Sequence, residues 1–561
     1  MFGRASRLTG KGVAGFLHTL AALLLVASAC SPPSRGVETG ERGRADGGST
    51  QAGNVSRQMV RLACGLPRRE LVRIWNGYHP DRAGDIQFVP REPHFMGDYL
   101  SHSGPWDYLQ RVPMLWYGPG IVPARGRVDR RVTMADVAPT VAGYLGFPFR
   151  APDGRPMREA LPRTGDRGEP PRLVLMVVWD GGGRDVLEEH PQAWPNLSRL
   201  IRRGVWYENA VVGSSPTHTA AVHASLATGA HPRTHGRIDG VFLMNDRLVR
   251  PEGVGPRDLL VPSLADLYDR AHDNEPLVGV VGATPWHLGM AGQGSFFRGG
   301  DRDVAVLQTK EFWGLSPHDA EYFEAPSYAT SDDGYNELVA EIDREDGVID
   351  GSWYDDRFLD GPNVLRKHST VEWQTRIVRQ LFRREGFGSD SLPDLMFTNY
   401  KQIDAVGHSL SMNSADMGAV VQRTDEALAQ LIRLLDDTAG EGRWVLGLTA
   451  DHGSTPSSSV SGGWGISVPE FGEDLRSVFD DDGDDRDILE ITRVSQLWVD
   501  PDEMRENEVS LEQISTWMMG YTIGDNASDP SRVPAGRAAE KLFAAAFPAE
   551  VLQGLPCLPS D

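Results

Sequence analysis

A chain of 561 residues with a net charge of −22, 40% hydrophobic and 24% charged residues, has the composition of a globular protein with enough apolar material for a large core. That charge excludes a general affinity for nucleic acid or anionic membrane, either of which needs a dominant basic surface. Clustered carboxylates suit cations instead. Taken in chain order, residues 1–30 read as an export signal: Arg4, Arg7 and Lys11 precede an apolar run from Val13 to Ala29, which ends in small residues before Cys30. This pattern resembles a bacterial lipoprotein signal with Cys30 as the lipidated residue, which implies an exported cell-surface or periplasmic lipoprotein; a plain secretory signal or an uncleaved anchor is the alternative. Residues 31–56, rich in Ser, Gly and Arg, read as a flexible tether. Two further cysteines, Cys64 and Cys557, can pair outside the cytoplasm.

Four short, continuous apolar runs have the character of buried parallel strands: Leu173 to Trp179, Leu277 to Val281, Asp394 to Thr398 and Trp444 to Thr449. Between the last two, Met417, Val420, Val421, Thr424, Leu428, Leu431, Ile432 and Leu435 recur at spacings of three and four, which predicts a helix from Ala415 to Leu435. Strand alternating with helix gives an α/β fold, a doubly wound sheet with helices on both faces. Three of the strands run into carboxylates: Asp180 after the first, Asp404 and His408 after the third, Asp451 and His452 after the fourth. Ligands of open α/β sheets sit beyond the carboxyl ends of the strands, so these side chains are expected to converge. A single Asp after a strand is ordinarily a helix cap or turn residue. Three together, two with a His in reach, point to a site for zinc, manganese or iron.

The segment from Gly213 to Gly229, with Pro216 and a Ser/Thr cluster ahead of a predicted helix, places Thr219 at that helix's N-terminus. There free N–H groups and the helix dipole favour an anion. A hydroxyl at such a point, bound to a dication, can ionise and attack phosphorus; in isolation, the reading that Thr217 or Thr219 simply caps the helix is the favoured one.

Four blocks together resemble the alkaline phosphatase superfamily, and within it the type I phosphodiesterase and nucleotide pyrophosphatase branch. They are Val178-Trp-Asp-Gly-Gly182, Pro216-Thr-His-Thr-Ala-Ala-Val-His223 running on to His235-Gly236, Asp404-Ala-Val-Gly-His408, and Thr449-Ala-Asp-His-Gly453. The resemblance implies two divalent metal ions, zinc by default. Asp180, Thr219, Asp451 and His452 would hold one ion; Asp404 and His408 would hold the other with a further His. In the branch that His lies near the C-terminus, but this chain has no His after His452.

The missing part resembles residues 57–163. Leu100-Ser-His-Ser-Gly-Pro-Trp106, Val112 to Ile121, Asp136 to Val141 and Gly154-Arg-Pro156 look like the branch's C-terminal portion, which makes His102 the last metal ligand. The resemblance therefore implies a circular permutation. The family's C-terminal part (57–163) and a polar linker (164–171) precede its N-terminal part (172–561), and the two together form one composite domain. In family order Cys557 would run directly into Cys64, which implies a disulfide at that join.

The implied activity is hydrolysis of a phosphoric ester, with a small phosphate ester or nucleotide as substrate, by attack of Thr219 and a phosphothreonine intermediate. Substrate contacts depart from the branch: its Asn falls on Gly240, and the segment Gly282–Gly289 lacks the Lys and Arg of a related monoesterase branch. Arg237 and Asn245 are the polar substitutes nearby in sequence, so monoester and diester both stay open. His223 and His235 are read as structural. The acidic run Asp480–Asp485 fails the spacing of an EF-hand loop, which would need a carboxylate where Leu489 stands, and is read as a solvated loop. Rival functions are a sulfatase, which would need a Cys or Ser nucleophile block, a phosphotransferase, which would normally use Ser, and an exported pseudoenzyme binding a phosphorylated ligand.

Overall fold

The structure, a computed structural model, describes residues 56–558 apart from 98, 103, 164–167, 310–311, 346, 351–367, 481–482 and 485. The export signal, Cys30, nearly all of the tether and half of the linker thus lie outside the described residues. Among the described residues, no helix is long and apolar enough to cross a membrane.

The main sheet has ten strands: β1 (Met114–Tyr117), β2 (Gly126–Thr133), β3 (Leu173–Trp179), β4 (Val205–Val211), β5 (Val278–Gly282), β6 (Asp303–Gln308), β7 (Trp313–Gly314), β8 (Phe323–Glu324), β9 (Asp394–Tyr400) and β10 (Trp444–Thr449). Their order across the sheet is β7-β6-β5-β9-β3-β10-β1-β4-β2, with β8 paired to β6. The central strands β5, β9, β3 and β10 run parallel. As the unbroken apolar runs predict, β3 and β10 are buried along their whole length. Alternate residues of β3 serve opposite layers. Leu173, Leu175, Val177 and Trp179 pack with Ile377, Leu381, Leu428 and Leu431 of the helices His368–Glu385 and Ala415–Thr438. Val174, Met176 and Val178 face Val141, Val222 and Leu226 of the helices Val137–Leu145 and Thr219–Thr228. The sheet is doubly wound, with the alkaline-phosphatase-like layering expected.

Register places the site. Tyr400 pairs with Trp179 and Thr449 with Val178, so β9, β3 and β10 end side by side and their following residues enter one space.

Residues 57–163 are built into this sheet. Strand β1 lies antiparallel between β10 and β4, pairing Met114 with Thr449 and Leu115 with Trp206, and β2 runs parallel to β4 at the edge. A second, four-stranded antiparallel sheet sets Ile86–Pro90 between Gln496–Val499 and Phe543–Pro548. Cys64, the last residue of the helix Arg57–Cys64, is disulfide-bonded to Cys557, with Cα atoms 5.9 Å apart. The bridge closes a loop of 493 residues in sequence, and such long closures restrict the unfolded chain strongly. The double variant Cys64→Ser/Cys557→Ser is expected to lose roughly 2–5 kcal/mol of stability. An unchanged urea midpoint in that variant would show that the bridge contributes nothing.

Candidate functional site

Asp180 follows β3 directly, and the next residue explains how it gets so close to its neighbours. Gly181 has φ +71°, and a Cβ there would lie 2.8 Å from the Asp404 Cα; glycine alone fits both constraints. Asp404 occupies the first turn of the helix Gln402–Leu410, with His408 one turn later on the same face. Asp451 and His452 follow β10. Thr219 opens the helix Thr219–Thr228, whose ten residues are all buried. The side chain of His218 caps it by accepting from the Ala220 N–H at 3.3 Å.

The structure brings the seven predicted ligand residues into one cluster, buried except for the partly exposed His102 and His408. The ligand atoms of Asp180, Asp451 and His452 lie within 4.8 Å of one another, as do those of His102, Asp404 and His452. His408 Nε2 lies 3.3 Å from Asp404 Oδ1, and His102 Nε2 lies 3.9 Å from the same oxygen. The His408 ring is oriented through Nδ1, which is 2.9 Å from the Leu100 carbonyl. The ring of His102, carried on the loop ahead of the helix Asp107–Gln110, stacks on that of His452 with centroids 3.7 Å apart.

These residues fit a metal ion. Asp451 is held through Oδ1 by the Gly181 N–H at 3.0 Å, yet its buried Oδ2 carries no hydrogen bond, and neither does His452 Nε2, 3.3 Å away. Buried polar atoms without partners are costly. A dication would satisfy both, and mixed carboxylate and imidazole donors match zinc, manganese or iron. Without one, burial and the charge of Asp180 push the Asp451 carboxyl well above the usual range, and burial with His452 and His408 nearby holds His102 well below its own.

Sequence reasoning missed the group at the centre. Lys401, only 6% exposed, places Nζ 2.8 Å from Asp180 Oδ1, 2.7 Å from Asp404 Oδ2 and 3.2 Å from Thr219 Oγ. Burial alone would lower its pKa, but Asp180, Asp404 and Asp451 together raise it. The same interaction draws Asp180 below the usual carboxylate range despite burial. A signal for it existed: Lys401 stands three residues before Asp404 at a helix start, a spacing that sets the two side chains together. Asn399 and His287 were missed as well; Asn399 Nδ2 donates to Asp180 Oδ2 at 3.0 Å, and His287 Nε2 lies 3.3 Å from that oxygen.

The two histidines read as structural both have their ring nitrogens engaged. His223 meets the Thr219 carbonyl at 2.6 Å and Asn399 at 2.8 Å. His235 meets Ser225 Oγ at 2.9 Å and accepts from the Arg237 N–H at 3.1 Å. His223 nonetheless forms a third compact group with Asp180 and His287.

Neither suggested substitute for the missing substrate contacts is placed for that role. Arg237 is buried in a two-pronged ion pair with Asp258, and Asn245 is exposed in the turn of a hairpin. Beside Gly240 stand Arg493 and His218 instead: a Cβ at Gly240 would lie 3.0 Å from Arg493 Nη2 and 2.6 Å from His218 Nε2. Arg493 is paired with Asp239 at 3.1 Å. In the acidic run, Asp484 is paired with Arg486, which also reaches Glu503 and Glu506.

The family model for type I phosphodiesterase / nucleotide pyrophosphatase matches residues 174–485, more than half of the chain. Among curated relatives, the alkaline phosphatase PhoV of Synechococcus elongatus is 22% identical over 333 residues, which is 51% of this chain and 59% of that protein. The chain thus spans about three fifths of that relative's length. The alkaline phosphatase PafA of Elizabethkingia meningoseptica is 22% identical over 401 residues, covering 62% of this chain and 72% of its own. The crystal structure of wild-type PafA superposes with a TM-score of 0.52 at 17% identity, covering 68% of this chain and 85% of that one. That likeness is one of fold.

Proposed function

Since this chain belongs to the type I phosphodiesterase / nucleotide pyrophosphatase family, we propose that it is an exported, metal-dependent hydrolase of phosphoric esters that works through Thr219. The carrying observation is the placement of the Thr219 hydroxyl at a buried helix N-terminus, beside a carboxylate–imidazole cluster whose Asp451 Oδ2 and His452 Nε2 carry no hydrogen bond. Asp180, Thr219, Asp451 and His452 would hold one divalent ion and Asp404, His408 and His102 the other. When bound, the pair supplies Lewis acidity at the phosphoryl group and eases ionisation of the hydroxyl.

The chain's own residues do the rest. The N-terminus of the helix Thr219–Thr228, where the His218 ring takes the Ala220 N–H, would favour the incoming phosphoryl oxygens through the helix dipole. Asn399 and His287 hold Asp180 Oδ2, which fixes the carboxylate's orientation. Thr219 Oγ attacks phosphorus in line, the bond to the leaving oxygen breaks, and a water molecule then cleaves the phosphothreonine. Zinc is the favoured metal on ligand type, and a small phosphate ester or nucleotide the favoured substrate.

The permuted order and the anchor belong to the same reading. The family match begins at residue 174, while residues 57–163 supply β1 and β2 of the sheet, the His102 loop and one half of the Cys64–Cys557 bridge. Both facts favour a rearranged chain forming one composite domain. Cys30 is proposed as the lipidated residue of a cell-surface or periplasmic protein.

The test is hydrolysis of paired nitrophenyl mono- and diesters, with ion content measured in parallel. Metal-loaded protein is expected to cleave at least one ester and to lose that activity on chelation, with recovery when ions are returned. Binding of phosphate without turnover of either ester would replace this reading with that of a binding protein.

A further inference from the structure

Resting on the reading of Thr219 as nucleophile, we infer that Lys401 is a catalytic residue: its ammonium donates a hydrogen bond to the attacking oxygen and stabilises the negative charge that forms there. An ammonium has three N–H donors and accepts nothing. Here three acceptors surround it: Asp180 Oδ1 at 2.8 Å, Asp404 Oδ2 at 2.7 Å and Thr219 Oγ at 3.2 Å. The two carboxylates fix the ammonium from the ends of two different strands, so its third donor is aimed and not free to wander.

Two consequences follow for the hydroxyl. Since Lys401 only donates, Thr219 Oγ accepts, and the hydrogen of Thr219 itself must point away from the lysine. As that proton passes to water, the contact to Lys401 becomes a charge-assisted bond to an alkoxide, stronger than the bond to the neutral hydroxyl. A preorganised donor that gains strength only as charge develops lowers the barrier to attack and not merely the energy of the resting state. The alkoxide electron pair forms the bond to phosphorus, the leaving oxygen departs with the electrons of the broken bond, and that oxygen takes a proton from water.

The lysine also joins the two halves of the cluster. Asp404 turns Oδ2 to Lys401 while Oδ1 faces His102 and His408. Asp180 turns Oδ1 to Lys401 while Oδ2 is held by Asn399 and His287. One ammonium thereby touches both carboxylates and the nucleophile.

The experiment compares wild type, Lys401→Ala and the volume-preserving Lys401→Met in the full-length, metal-loaded protein. Ester hydrolysis, ion content by plasma mass spectrometry and acid-trapped phosphothreonine are read on each. Loss of one preorganised donor to a developing oxyanion predicts a fall in kcat of about 10²–10³-fold. KM and ion content are expected to stay near wild type. Ethylammonium ions are expected to restore part of the rate to Lys401→Ala, which a residue that merely supports the fold would not permit. Loss of a metal ion in both variants, or a kcat like that of wild type with ions retained, overturns the inference. Failure of metal-loaded wild type to hydrolyse either ester sinks the functional reading, and this inference with it; wild-type turnover with an unaffected Lys401→Ala sinks the inference alone.

Discussion

Thr219→Ala is expected to lower kcat/KM for the preferred ester by about 10⁴-fold or more, the scale on which loss of a covalent nucleophile is felt. The substitution is a clean one. Thr219 is 2% exposed at the first position of a fully buried helix, alanine suits that helix, and the cap from His218 to the Ala220 N–H does not involve the threonine side chain. Ion content should therefore survive, because Asp180, Asp451 and His452 remain as donors. Residual activity would come from water attacking a substrate still held by the site. Acid-quenched wild type should carry phosphate on Thr219, and the variant should carry none. Hydrolysis within tenfold of wild type would mean that water attacks directly and that Thr219 is not the nucleophile.

The second large effect is expected at His102. Outer partners of metal ligands are worth roughly 10–100-fold in affinity or activity, so removing a ligand itself should cost at least about 100-fold. His102→Ala is predicted to lose one ion per chain and most of its turnover, while the disulfide and the strand pairing of β1 persist. His102 lies outside the family match, on a segment some three hundred residues away in sequence from the Asp404 it approaches at 3.9 Å. A variant with unchanged ion content and activity would contradict the permuted reading and leave the second ion to other donors, His452 first among them, since it already lies with His102 and Asp404 in one compact group.

The fold was legible wherever burial imposed a pattern on the chain. Leu173–Trp179 and Trp444–Thr449 are strands from end to end as expected, since both faces of each are covered and the apolar run stops where the core stops. The second expected strand is shifted by one residue, to Val278–Gly282, because glycine carries no hydropathic signal for a strand end. The helix expected at Ala415–Leu435 continues to Thr438, its last turn lying beyond the apolar stripe that revealed it. The candidate site was legible where a residue closely follows its own strand, as Asp180 and Asp451 do; Asp404 lies further on, in the helix that follows β9. Lys401 was not legible, because its importance lies in reaching Asp180 and Thr219, which are distant in sequence. The local signal, its place three residues before Asp404, accounts for the contact with that carboxylate but not for those with Asp180 and Thr219. Arg237 failed as a substrate contact for a similar reason: its partner Asp258 lies on another segment and captures Nε and Nη2 of the buried guanidinium.

The position of β1 has a consequence for how the molecule is made. Ribosomal synthesis delivers Met114–Tyr117 early, yet its two neighbours in the sheet are β4 and β10, and β10 is complete only at Thr449. Until then the strand has an open hydrogen-bonding edge, which is a site for mispairing. Vectorial assembly from the first-made strands is therefore closed to this sheet, and maturation must wait for most of the polypeptide, as for other topologies dominated by distant pairings. A nascent chain halted before residue 444 would hold the strands on either side of β10 but not the strand that joins them.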